Sequence, residues 1–498
     1  MENNSLNQGT ENSSQKTLIE KITDSLILKI FVIFFLMLIL LIPLGLIGDL
    51  ISERNNRESN VSTEIARKWG LEQVVTSPII AVPYDIVLET VEPSSDGKSS
   101  SISRTVKTEY AYLMADQTQI QADVEPTVLK RGIYQAIVYN SKINIKGNFK
   151  NFDLDKLKIQ AADLKWNEAK LVFGIQDIKG ISASPKFKWD GKEYEMGKYE
   201  QDLRLFNQNL TVDLPLEGNE SLNKSFEINM DLKGSKSLNF LPLASQTKIM
   251  ATGKWSNPSF NGNFLPDERE VGETFKASWN IPDFSRKQPQ QWKGDPMRIY
   301  DFSGIDLANE ADGNISYQDA ASASVAAANG VTDSQTLAND YDMVQINFLP
   351  NVDNYQKSTR VTKYGALVIA LTFISLVFME IIKKQRVHII QYVLIGFAMV
   401  LFYALLLAIS EHIGFNMAYL IAAIATIVLI SSFIKAITKD MKSAMNFAAI
   451  LTLFYTFIFV LLQLRDYSLI VGTVGLFIIL AVLMRLSTKI NWYQFEKQ

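Results

Sequence analysis

Val387–Ala423 reads VHIIQYVLIGFAMVLFYALLLAISEHIGFNMAYLIAA. An apolar run leads into a short polar hinge, Ser410-Glu411-His412-Ile413-Gly414, and a second apolar run leaves it. Followed to its end, each run reaches the roughly 20 apolar residues a helix needs to cross a bilayer. The stretch therefore defines an integral membrane protein. It also contains both histidines of the 498-residue chain.

Working outward, the runs 388–409 and 417–437 are joined by 364–382, 444–464 and 468–486, and far upstream by Leu28–Leu46. The upstream run exceeds the apolar core of about 7–15 residues in a signal peptide and lacks a small-residue cleavage site. It reads as an uncleaved anchor. The loops that follow alternate in charge. Lys383, Lys384 and Arg386, then Lys435, Lys439 and Lys442, then Arg485 and Lys489 mark one side of the membrane. The other loops carry Glu411, or Arg465 with Asp466. Basic residues concentrate on the cytoplasmic side. Six spans with both termini inside are expected, with the segment between the first and second spans outside.

That segment opens with Ile51–Trp69, which reads as a continuation of the first helix and stops at Gly70. Beyond it the period changes to two. Phe226, Ile228, Met230 and Leu232 alternate with polar neighbours, and Ile143, Ile145 and Gly147 repeat the pattern, as on a strand with one buried face. Asp190-Gly191 is a hairpin turn signal; Asp96-Gly97 is a weaker one. The acidic, Ala/Ser-rich stretch Asp301–Asp342 reads as solvated. The chain has no cysteine, so disulfides and thiolate-ligated metals are excluded. A formal charge of −3 argues against nucleic-acid binding.

Several strings resemble the CreD family of inner-membrane, cell-envelope-integrity proteins. Glu53-Arg54 and Ala66-Arg67-Lys68-Trp69-Gly70 follow the anchor, then Thr76-Ser77-Pro78 through Pro83-Tyr84. Arg131-Gly132-Ile133-Tyr134 with Val138-Tyr139, and Asn257-Pro258-Ser259-Phe260 with Phe264 to Arg269, are also similar to family elements. Val352 to Gln356, Arg360 through Tyr364-Gly365, and the opening block complete the series. The resemblance implies a bacterial inner-membrane location and a role in envelope integrity or stress response. It further implies a genetic link to a two-component system and to colicin tolerance. It supplies no catalytic residue.

The expected fold is membrane α-helical, with six transmembrane helices, plus a large β-rich periplasmic domain of sandwich-like character. The expected boundaries are a cytoplasmic tail 1–27, an anchor 28–50, a periplasmic domain 51–360, a five-helix bundle 364–486 and a cytoplasmic tail 487–498. The expected partners are the lipid bilayer and envelope proteins or lipids docking on the periplasmic domain. No cofactor, metal or reaction is expected.

Five residues stand out as candidates. His388 and His412 are 24 residues apart, about 36 Å along a helix, so they cannot share a metal ion. The 51–360 segment has no histidine, which excludes a Ser-His-Asp hydrolase there. Glu411-His412 is a polar pair at the membrane edge, readable as an ion or docking site or as a solvated turn. Glu380 is placed to pair with Lys383 and Lys384 at i,i+3 and i,i+4. Gln391 and Tyr392 can hydrogen-bond across helices. Gly472 and Gly475 form a small-residue face suited to close packing. Two rival functions remain. A transporter or lipid-handling protein would show a polar path near Glu411, Tyr403 or Gln391. An envelope hydrolase would need facing carboxylates, of which Asp267 and Glu268 are the named pair, although neighbours on a strand point to opposite faces.

Overall fold

The structure is a computed structural model that describes residues 26–93, 100–198, 203, 205–206, 208–294, 299, 342–350, 354–383, 387–464 and 467–488. Most of both expected tails, most of the acidic stretch, Asp96-Gly97, Lys384, Arg386, Arg465, Asp466 and Lys489 lie outside them. The chain divides into two compact units, Met1–Arg57 with Val352–Gln498, and Glu58–Asn351.

In the first unit, α1 (Leu26–Trp69) is one uninterrupted helix whose last residues belong to the second unit. At 1.5 Å per residue it is about 66 Å long, twice the hydrocarbon thickness of a bilayer. After the β-rich insertion come α2 (Asn354–Lys363), α3 (Gly365–Lys383), α4 (Ile389–Ile413), α5 (Phe415–Thr438), α6 (Met441–Gln463) and α7 (Ser468–Ser487). Among the described residues, five helices are long and apolar enough to cross a membrane: α1, α3, α4, α5 and α6. The apolar part of α7, Leu469–Arg485, is shorter. Large apolar side chains such as Phe31, Phe34, Phe35, Leu469 and Phe477 face outward, a surface that suits lipid rather than water.

α2 was not foreseen. It has few apolar residues, and the expected boundary at 360 ran through it. It groups with the helices because Tyr355 packs on Ile51 and Leu407.

In the second unit, strand periodicity is visible in burial. Gln117–Arg131 alternates exposed and buried over its first ten residues, with Ile120, Ala122 and Val124 inward. Ser225–Ser235 turns Phe226, Ile228, Met230 and Leu232 inward, as the alternation predicts. An eight-stranded sheet runs in the order Glu268–Val271, Phe275–Pro282, Gln246–Gly253, Gln117–Arg131, Tyr134–Asn148, Ser225–Ser235, Lys186–Trp189 and Lys192–Tyr194. A six-stranded sheet is built around the long hairpin Ile79–Pro93/Ser100–Met114. A four-stranded sheet joins Gln73–Thr76, Ser237–Leu241, Val344–Phe348 and Pro258–Gly262. These counts are of the described residues.

One turn has a clear local cause. Asp190 and Gly191 both take positive φ, 50° and 79°, and close the hairpin between Lys186–Trp189 and Lys192–Tyr194. One core cluster draws on all three sheets, including Phe149, Phe173, Phe226, Phe240 and Ile346. Phe149 lies 5.3 Å from Phe226 and 5.9 Å from Trp189, ring centre to ring centre.

Candidate functional site

The polar chemistry of the helical unit collects at two places, each built on one carboxylate. At the first, Lys29 of α1 pairs with Glu380 near the end of α3. The Tyr392 hydroxyl donates to the other carboxylate oxygen at 2.9 Å, and Val387 N–H donates to Glu380 at 3.2 Å. Lys29 also donates to the Val387 carbonyl at 2.5 Å and lies 5.7 Å from the Tyr392 ring centre. The side chains of Lys29 and Glu380 are only 18% and 12% exposed. Each charge removed from water therefore has a charged and a neutral partner.

The expected pairing of Glu380 with Lys383 is not what forms. Lys383 reaches Asp440 at 3.4 Å; Lys384 lies outside the described residues. The reason is burial: Glu380 turns inward toward α1 and Tyr392, whereas Lys383 is exposed.

At the second place, Tyr355 of α2 donates to Glu411 of α4 at 3.2 Å, and Arg54 Nε lies 3.9 Å from the same oxygen. Glu411 is 12% exposed and Arg54 35%. Asn354 fastens the turn beside them. Its amide donates to the Ser410 carbonyl at 3.4 Å, and its carbonyl accepts from Phe415 N–H at 3.2 Å. Gly414 makes that turn with φ of 82°, a conformation glycine adopts freely. His412 is exposed, whereas Glu411 is mostly covered and turned toward Tyr355 and Arg54. Glu411 and His412 follow one another on a helix and point about 100° apart.

Gln391 has a local task. It accepts from His388 N–H at 2.9 Å, while His388 Nδ1 accepts from Ile390 N–H at 3.3 Å. This reciprocal cap satisfies orphan donors at the start of α4. It leaves the two histidines at opposite ends of that helix.

Between the two carboxylates, α1 sits in gaps made by glycines. A methyl group on Gly396 would collide with Leu40 Cδ1, and one on Gly365 would lie 2.8 Å from Leu44 Cδ2. Gly475 is likewise pressed by the Phe457 ring. Small residues permit such close approach, which is what drives helix association in lipid. Tyr403, Tyr419 and Tyr455 fill the bundle around Phe402, with ring centres 4.9, 5.5 and 4.7 Å from it.

The second unit holds its own polar cluster where α1 ends. Trp69 Nε1 donates to the Tyr139 carbonyl at 3.3 Å, and Leu71 N–H donates to Asp177 Oδ2 at 2.9 Å. The Gln73 amide bridges the carbonyls of Asp177 and Lys233 at 3.1 and 2.9 Å. Arg131, at a hairpin tip, reaches Glu64 of α1 at 2.6 Å. Hydrogen bonds from Lys68 and then Arg131 hold the Glu64 carboxyl below its ordinary value. A cleft of ≈ 70 Å³ beside this cluster is lined by Thr63, Ala66, Leu71, Glu72, Gln176, Ser235 and Lys236, room for about two waters. Asp267 and Glu268 are exposed near a sheet edge, and Asp267 is occupied in accepting from Asn280 N–H at 2.7 Å.

The carboxylates were legible in the sequence as candidates, but Lys29, Arg54 and Tyr355 were missed as their partners. A signal was present: Lys29 and Arg54 bracket the first apolar run, as Glu380 and Glu411 bracket apolar runs more than 300 residues later.

Apolar helices sealed at their ends by ion pairs, with a β-rich insertion between the first and the rest, define a multi-pass membrane protein. The sequence profile described as inner membrane protein CreD matches residues 25–493. The chain is also 28% identical over 472 residues to inner membrane protein CreD of Escherichia coli (strain K12), a match covering 94% of each chain. This chain belongs to the CreD family and is a multi-pass inner-membrane protein.

Proposed function

We propose that the protein supports cell-envelope integrity through a non-enzymatic structural or interaction role of its β-rich unit. In this reading α7 is the sixth span, both termini are cytoplasmic and the β-rich unit is periplasmic. Its sheets form sandwich-like layers that share one core. Its partners are envelope proteins or lipids, and the link to a two-component system is carried over from the family resemblance.

The observation that supports this reading best is the pairing of α1, which precedes the insertion, with helices that follow it, through Lys29–Glu380 and Arg54–Glu411. The β-rich unit is thus carried by two chain crossings whose membrane parts are fastened together. Such an arrangement suits a docking module more than a freely tethered enzyme.

Deleting residues 70–350 while keeping every apolar helix tests the role. Loss of envelope-stress tolerance is the expected result, and full tolerance would refute it. The absence of native cysteine gives a clean test of orientation. On intact cells with a permeable outer membrane, a membrane-impermeant maleimide should label Asp267→Cys and spare Lys439→Cys.

A further inference from the structure

α2 is the least expected element, and its two faces differ sharply. Tyr355, Ser358 and Val361 are buried, at spacings that put them on one side of a helix. Gln356, Arg360 and Lys363 are exposed and project from the opposite side. Lys357 flanks that stripe, its ammonium 5.7 Å from the Phe415 ring centre. The helix contains three bases and no acid. Among the described residues, Arg360 and Lys363 have neither an ion pair nor a hydrogen-bond partner for their side chains.

The position of the helix gives this face its meaning. Only Tyr364 separates α2 from the membrane helix α3. Half-buried Tyr364 follows the bases directly, and tyrosine favours the headgroup level. Amphipathic helices with a basic polar face at that depth are attracted to anionic lipid. On the orientation proposed above, these bases lie on the face where lysine and arginine are ordinarily depleted. Their presence there calls for a compensating negative charge, and phospholipid phosphates supply it at the right depth.

We propose that the Arg360–Lys363 face of α2, with Lys357, is a docking surface for the phosphate headgroups of anionic phospholipids. The guanidinium forks onto a phosphate through paired N–H groups, and the two ammonium groups add charge on either side.

The full-length protein in nanodiscs of phosphatidylcholine, with or without phosphatidylglycerol, tests this by counting retained lipid in native mass spectra. Wild type should retain phosphatidylglycerol in preference to phosphatidylcholine. R360Q/K363Q should lose that preference by about five-fold for each base removed. The charge-retaining R360K/K363R should keep it, which separates loss of charge from misfolding. Equal preference in wild type and R360Q/K363Q would overturn the proposal. So would displacement of phosphatidylglycerol from wild type by inorganic phosphate, which would indicate a free-anion site.

Discussion

The two units solve the problem of register by different means. In the β-rich unit, alternation along Gln117–Arg131 or Ser225–Ser235 fixes which side chains face the core. A slip by one residue would expose all of them to water. In the helical unit that penalty is absent, because apolar side chains lie both inside the bundle, as Leu40 and Phe402 do, and on its outer surface, as Phe31 and Phe477 do. Lipid is as apolar as the core. What sets the alignment of α1 there is a small number of specific features: the gaps at Gly365 and Gly396, and the ion pairs at Glu380 and Glu411. One unit is specified by a pattern, the other by individual residues.

The sharpest way to break this contrast is a small change in the sheet. A methyl group on Gly147 would collide with the Gln117 carbonyl oxygen and the Phe226 ring. Gly147→Ala should destabilise the β-rich unit by about 3 kcal/mol, seen as faster proteolysis of residues 70–350. The same substitution at Gly396 meets only the tips of Leu40 and Phe373, which can turn aside, so its effect should be clearly smaller. Equal effects would remove the distinction between rigid sheet and adaptable bundle.

Next in size is Glu380→Gln, which leaves Lys29 largely buried without its counter-charge. A loss of about 2 kcal/mol is expected, reduced from the fully buried case by residual exposure. Disulfide trapping of G48C with T362C reports the packing of α1, since a Cβ on Gly48 would lie 4.0 Å from Thr362 Cγ2. The yield should fall in Glu380→Gln and partly recover in K29M/E380M, where neither charge remains.

Glu411→Gln should cost less, about 1 kcal/mol, because Arg54 stands 3.9 Å away and is the more exposed partner. If it proved more damaging than Glu380→Gln, the order of the two ion pairs would have to be reversed.

The smallest expected effect is in the loop before α6. There Asp440 accepts from Ser443 Oγ and from the backbone N–H groups of Lys442 and Ser443, with Lys383 nearby. These bonds, the Ser443 hydroxyl first, hold its pKa down at about 2 against an ordinary 3.8. A lowered folded pKa stabilises fully above the ordinary value and ceases to do so as pH falls through the folded one. The acid-sensitive part of thermal stability between about pH 4 and pH 2 should therefore be smaller in Asp440→Asn. An identical acid profile would show that this cap is not linked to folding.

Much of the local structure was readable beforehand. The helix running on to Trp69, the inward Phe226–Leu232 alternation and the Asp190-Gly191 hairpin all follow from period or turn chemistry. Glu380, Glu411, Gln391 and Tyr392 were readable as polar groups at the ends of apolar runs. Their partners were not, since Lys29 lies 351 positions from Glu380 and no local period carries that information. α2 escaped for a related reason: its apolar face is only Tyr355 and Val361, and its value emerges when Ile51 and Leu407 complete the contact.

By itself the sequence determined the membrane class, the β-rich insertion and the places where charge meets the apolar runs. These depend on hydrophobicity and on periods of 2 and 3.6 residues, which are properties of neighbouring residues. Only the tertiary structure decided that Glu380 faces Lys29 rather than Lys383, that Glu411 meets Tyr355 and Arg54, and that α2 shows an exposed basic face. Those choices are set by which buried charges can reach one another across the fold, and that is a matter of three-dimensional distance.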